Sequence, residues 1–288
     1  MSILSNCNLI AVVGSKGGGG KSVFAANRAC AFLKEMRSQT LLIDLDPRSC
    51  GDQNIITGIR PQKTAADIAN HSGAMTPSAL KSLISTHPSG LHFIPAVISP
   101  EYRPEVPAEL FRRQLYPISQ HYSYIVVDLG SDIDDLQLCI IAESIAVIVV
   151  TTPEVLVVNQ TRKALSDLLT ATVPADLFQI VVNRAARTGI PPQTIGQSLR
   201  GPVIGVIPQD DVTTYSALQT STPFVLSTPT APITSAYHGV VRTLTGGVLQ
   251  KLKSLSRPKN IKTVTPERTL NSNASTAKPP NSAINPLT

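Results

Sequence analysis

Tryptophan is absent from the 288 residues, and aromatic side chains make up only 4% of them, so any core must be aliphatic. Cysteine is sparse. Cys7, Cys30, Cys50 and Cys139 stand far apart with no CxxC pair, which argues against a zinc site or a disulfide framework and fits a reducing cytosol. The amino terminus shows neither a basic n-region nor a cleavage site, so no secretory leader is expected. Long hydrophobic runs are also lacking. The most apolar stretch, LCIIAESIAVIVV (138–150), is broken by Glu143 and is too short to span a bilayer; a helix end followed by a buried strand accounts for it. Excess positive charge is missing from the body of the chain. Residues 1–250 hold 18 basic and 18 acidic side chains, whereas residues 251–288 hold seven basic ones and a single acid, Glu267. The net charge of +6 therefore belongs to the tail, and the body offers no basic groove for nucleic acid.

What is abundant is short β-branched runs: LIAVV (9–13), TLLIDL (40–45), YIVVDL (124–129), AVIVVT (146–151), QIVVN (179–183) and VIGVIP (203–208). They do not alternate apolar with polar residues, so both faces of each strand are covered, as in a parallel sheet. Helical patterns lie between them, at 22–37, 108–121, 155–170 and 192–199. The alternation predicts an α/β, doubly wound, mostly parallel sheet with helices on both faces. One domain is expected over residues 1–257. Residues 258–288, rich in Pro, Asn, Ser and Thr, contain no aromatic residue and too few apolar ones to offset ordering entropy, so a disordered basic tail is expected there.

Between LIAVV and the helical KSVFAANRACAFL stands SKGGGGKS (15–22). A glycine-rich loop at the carboxyl end of a strand, opening a helix, lets backbone N–H groups curl around an anion without Cβ clashes. Gly17, Gly18, Gly19 and Gly20 form this cradle, Lys21 would reach the β/γ phosphates, and the Ser22 hydroxyl would ligate Mg²⁺. The first glycine of the general phosphate-loop pattern falls on Ser15, and an additional lysine, Lys16, stands in the loop. KGGGGKS thereby resembles the deviant phosphate loop K-G-G-x-G-K-[ST] of the ParA/MinD-type P-loop ATPases.

The resemblance implies ATP and Mg²⁺ as cofactors and an ATP-sandwich homodimer in which Lys16 reaches the other subunit's phosphates. It implies that Asp46, in LLIDLDP, orients the attacking water and that Asp44 lies near the metal shell. It implies that Asp128, in YIVVDLG, holds Mg²⁺ through water, and that Asn183 and Pro208 lie at the adenine. Leu129-Gly130-Ser131 stand where many relatives have x-Pro, which leaves the conformation after Asp128 open.

Three further stretches, at 85–101, 151–165 and 227–240, resemble the CpaE/TadZ branch, whose members help to place Tad/Flp-type pilus secretion machines. The resemblance covers roughly residues 8–244. It implies a slow, partner-stimulated ATPase (ATP + H₂O to ADP + phosphate) in the cytoplasm, at the inner face of the membrane or at a cell pole, working with pilus or secretion assembly proteins. Two alternatives stay open. One is a DNA-partition ATPase using the basic tail. The other is a membrane-surface switch using 246–257, where Val248, Leu249, Leu252 and Leu255 recur at helical spacing beside Lys251, Lys253 and Arg257. Those apolar residues equally suit a last helix packed on the sheet.

Overall fold

The computed structural model describes residues 7–46 and 48–255. The segment 258–288, expected to be a disordered tail, lies outside the described residues, as does Pro47. The strands are β1 (Asn8–Gly14), β2 (Thr40–Asp44), β3 (Ser85–Thr86), β4 (His92–Pro95), β5 (Tyr124–Asp128), β6 (Ala146–Thr151), β7 (Phe178–Ala185) and β8 (Val203–Pro208). The helices are α1 (Lys21–Met36), α2 (Asp52–Thr57), α3 (Ala65–Ala69), α4 (Pro77–Leu83), α5 (Ala108–Ser119), α6 (Asp135–Glu143), α7 (Val155–Thr170), α8 (Pro192–Leu199), α9 (Asp211–Gln219), α10 (Phe224–Ser227), α11 (Pro232–Thr243) and α12 (Leu249–Ser254).

The strands make one sheet in the order β3-β4-β2-β5-β1-β6-β7-β8, parallel except for the two-residue edge strand β3. Each continuous apolar run splits by residue parity between two cores. Leu9, Ala11 and Val13 of β1 join Leu41, Ile125, Val149 and Ile180 on one face, beneath α3 to α8. Ile10 and Val12 join Leu42, Val126, Ile148 and Val181 on the other, beneath α1 and α9 to α12. The doubly wound reading of the β-branched runs is therefore correct. β3 and β4 escaped it because they are short and carry no β-branched run.

Residues 246–255 settle against the body. After the kink at Gly246 and Gly247, α12 buries Leu249 and Leu252 in the second core, with Val248 and Leu255 packed against it. Each such burial is worth about 1.5–3 kcal/mol relative to exposure. Of the two readings of this segment, the structure favours packing: Leu249 and Leu252 face the second core. Among the described residues, no helix is long and apolar enough to cross a membrane.

The topology sets up the site. β1 lies between β5 and β6, and β5 lies between β1 and β2. The carboxyl ends of β1, β2 and β5 consequently sit side by side, at the crevice where open α/β sheets bind ligands.

Candidate functional site

The loop from Ser15 to Gly20 joins β1 to α1. Gly20 occupies the αL position at the helix start (φ 82°), no side chain caps this end, and the first turn carries no acidic residue. The first N–H groups of a 16-residue helix are thus left to meet an anion. At Gly20 a side chain is excluded, since a Cβ there would lie 2.5 Å from Asn183 Nδ2, whereas Gly17 and Gly18 face open space. The stem of Lys21 lies over Gly14, where an added Cβ would meet its Cδ at 2.6 Å. Lys21 is buried, and its Nζ donates to the Lys16 carbonyl (2.7 Å) across the loop. Ser15 ties the loop to α7 through Thr161 (3.0 Å between hydroxyl oxygens).

Asp44 and Asp128 end adjacent strands in register and are almost completely buried. Burial first, then the negative charge of Asp128, holds Asp44 well above the usual carboxylate range; hydrogen bonds from the Asp46 N–H (3.1 Å) and Ser49 Oγ (3.0 Å) pull the other way. Burial likewise raises Asp128, against hydrogen bonds from Ser22, Gln53 (3.0 Å) and the Gly130 N–H (3.2 Å), while the charge of Asp46 adds to the rise. Lys21 Nζ is given to the Lys16 carbonyl, and among the described residues neither carboxylate has an ion-pair partner.

Asp46 sits just beyond β2, where its Oδ1 accepts from the Arg48 N–H (2.8 Å). Its carboxylate lies against Gly130, which adopts φ +71°; a Cβ there would be 2.3–2.5 Å from the Asp46 carboxyl atoms. Gly130 also accepts from the Gly14 N–H (3.2 Å). The Leu129-Gly130-Ser131 sequence after Asp128 is therefore a close-packing device that joins β1, β2 and β5.

Lys16 lies at the rim. Its Nζ is 3.8 Å from Glu154 Oε2, both side chains being largely exposed. Beside Glu154, Val155 and Leu156 are 70% and 75% exposed at the start of α7. On the other side of the loop, a cleft of about 280 Å³ is lined by Gly20, Val23, Asn183, Pro208, Asp210 and Tyr215, among others. Asn183 Nδ2 donates to the Gly19 carbonyl (3.0 Å), so this residue holds the loop as well as facing the cleft. A larger cavity, of about 1080 Å³, lies away from the loop between the 103–108 segment, α6 and α7, and contains none of the site residues singled out from sequence.

Thus the fold brings Lys21, Ser22, Asp44, Asp46 and Asp128 to one place, sets Lys16 at its edge, and puts Asn183 and Pro208 beside the glycine loop. Sequence reasoning missed three contributors: Ser49, which holds Asp44; Gln53, which bridges α1 and β5; and Gly130. Only Gly130 had a local signal, through its departure from the x-Pro pattern.

These residues suit a phosphate-bearing anion and a hard divalent cation. The anion is served by the uncapped helix start and glycine cradle, the cation by the Ser22 hydroxyl and the carboxylate oxygens of Asp44 and Asp128. Among the described residues no group of three or more acidic, His or Cys side chains could hold a metal by itself. Mg²⁺ is characteristically held by one or two carboxylates together with substrate phosphates and water.

Fold and site together define a P-loop nucleotide-binding α/β protein. The chain belongs to the AAA domain family, which matches residues 7–171, and its fold is that of the ParA/MinD-type ATPases. A ParA family ATPase from Chlorobium tepidum TLS shares 25% identity, with 83% of this chain and 99% of that chain covered, at a TM-score of 0.72. The septum site-determining protein MinD from Pyrococcus horikoshii OT3, solved with Mg-ADP, shares 20% identity over 84% of this chain and 98% of that chain (TM-score 0.70). An uncharacterized ATP-binding protein of Methanocaldococcus jannaschii is 26% identical over 239 residues, 82% of this chain and 87% of that protein.

Proposed function

We propose that the chain is a slow, Mg²⁺-dependent ATPase that works as a dimerising switch. One observation carries the reading: the Lys16 ammonium sits at the exposed rim near Glu154, which precedes the exposed Val155 and Leu156, while Asp44 and Asp128 are buried at the strand ends. In this reading Gly17 to Gly20 and Lys21 hold the triphosphate, and Ser22 and Asp128 hold Mg²⁺, with Asp44 at its outer shell. The metal would neutralise phosphate charge. Asp46 orients a water; Asn183 and Pro208 border the base. A second protomer packed on Val155 and Leu156 would cover apolar surface and receive Lys16 toward its own phosphates. Positive charge delivered in this way from a partner is worth about 10³–10⁵ in rate. Turnover is slow because the output is a population of dimers rather than product.

The dimer would position or assemble a Tad/Flp-type pilus or secretion apparatus. This finer reading is supported by the stretches at 85–101, 151–165 and 227–240, and its partners would be assembly proteins in the cytoplasm or peripheral to the membrane. DNA partition is the second reading, favoured by the 25% identity to a ParA family ATPase and by the basic residues after 250. The test is an Asp46→Ala protein examined with and without ATP at physiological salt, by sedimentation and by binding to double-stranded DNA. ATP-dependent dimers that ignore DNA support apparatus positioning. ATP-dependent DNA binding moves the function to partition, and a monomer that ignores ATP overturns the switch.

A further inference from the structure

Gln53, on α2, is completely buried between the phosphate-loop helix and the sheet. Its Nε2 donates to two acceptors at once, the Ser22 carbonyl (2.9 Å) and Asp128 Oδ2 (3.0 Å). Those acceptors fix the amide orientation, because the flipped amide would set Oε1 against two oxygens. The other half of the amide, Oε1, is buried with no hydrogen-bond partner among the described residues. A buried amide oxygen without a donor costs about 1–3 kcal/mol, so native structures seldom leave one idle. It is bonded to the same carbon as Nε2, the atom that donates to the Asp128 carboxylate.

We infer that Gln53 is a positioning residue for the metal. The inference rests on the nucleotide-switch reading above and deepens it. Through Nε2 it holds the Asp128 carboxylate and the Ser22 main chain in a fixed relation, so that the Ser22 hydroxyl and Asp128 present their oxygens together. Through Oε1 it would accept a hydrogen bond from a water carried by the bound cation, giving the orphaned oxygen a donor. Gln53 also belongs to the segment that follows Asp46. Its carbonyl accepts from Thr57 Oγ1 (2.6 Å), and Ser49, four residues earlier, holds Asp44. Cation binding would in this way be linked through α2 to the segment that carries Asp46.

The test uses the full chain with a non-hydrolysable ATP analogue, and Mn²⁺ as a paramagnetic probe counted free and bound by EPR. Gln53→Met keeps side-chain length and apolar packing while deleting both hydrogen-bonding functions. Gln53→Glu keeps the shape and replaces the donor by a carboxylate. Outer-shell partners of a metal are typically worth about 10–100-fold in its affinity, and a loss of that size in Mn²⁺ binding is expected for Gln53→Met, with a larger one for Gln53→Glu. Binding of the analogue in EDTA should stay within about twofold of the parent, because the phosphate cradle does not include the amide. If both variants bind Mn²⁺ like the parent, or lose analogue affinity equally with and without metal, Gln53 is a packing residue and the inference fails. If the parent itself binds no analogue, the nucleotide reading fails instead. Should Gln53→Met fail to fold, Gln53→Glu decides alone.

Discussion

Replacing Gly130 with alanine asks whether the conformation after Asp128 serves the chemistry or only the fold. The position has φ +71°, and its added Cβ would lie 2.3 Å from the Asp46 carboxyl carbon and 2.4 and 2.5 Å from its oxygens. Two effects add. The left-handed backbone costs an L-residue about 1–2 kcal/mol. The overlap forces the Asp46 carboxylate back by on the order of 1 Å, a displacement that costs about 100-fold in rate when it befalls a positioned catalytic group. Gly90→Ala supplies the control: φ there is +91°, with no atom within 4 Å of the new methyl. At about 2–4 °C per kcal/mol for a domain of this size, both variants should melt some 2–8 °C lower than the parent. Only Gly130→Ala should lose turnover, by about two orders of magnitude, while binding of an ATP analogue survives. Thermal melting and a phosphate-release assay on both proteins make the comparison. Parental turnover in Gly130→Ala, or an equal loss in Gly90→Ala, would refute the link between Gly130 and the Asp46 carboxylate.

Asp44 is raised by burial and by Asp128, so the folded protein keeps a proton that the unfolded chain releases near pH 4; this group's contribution to stability is therefore lost as pH rises from about 4 through its folded value. Asp44→Asn should accordingly raise the melting temperature of nucleotide-free protein at neutral pH, gain little near pH 4, and abolish stabilisation by Mg²⁺ with nucleotide. Arg28 is fully buried, its guanidinium has no hydrogen-bond partner among the described residues, it stacks 4.4 Å over Phe32, and burial pulls its pKa down to about 9. Arg28→Met should stabilise the protein, by about 1–4 kcal/mol in denaturant melts, since replacing buried charge with packed apolar volume typically does so. Leu252→Ala should destabilise by about 2–4 kcal/mol without altering liposome binding, because that side chain is spent on the core.

How much was legible in the sequence depended on the range over which each signal acts. Continuous β-branched runs can be stable only with both faces covered, so the doubly wound sheet was readable before any contact was known. The glycine loop was equally readable, because its backbone demand is local: only glycine tolerates Gly20's φ of 82° without strain, and the lysine and serine follow immediately in the chain. Asp44 and Asp128 were legible as strand-end acids, yet their shared burial was not, since it arises from register between strands more than 80 residues apart in sequence. Gln53 showed no pattern at all; a lone glutamine becomes significant only when folding places its amide between Ser22 and Asp128. The apolar face of α12 was ambiguous for the same reason. Periodicity says that a face must be covered, while the identity of the cover, here the sheet's second core, is decided by tertiary packing. Backbone conformation and face-to-face patterning are dictated by neighbours in the chain, whereas shared charge, orphaned polar atoms and close approach depend on distances that exist only once the chain has closed.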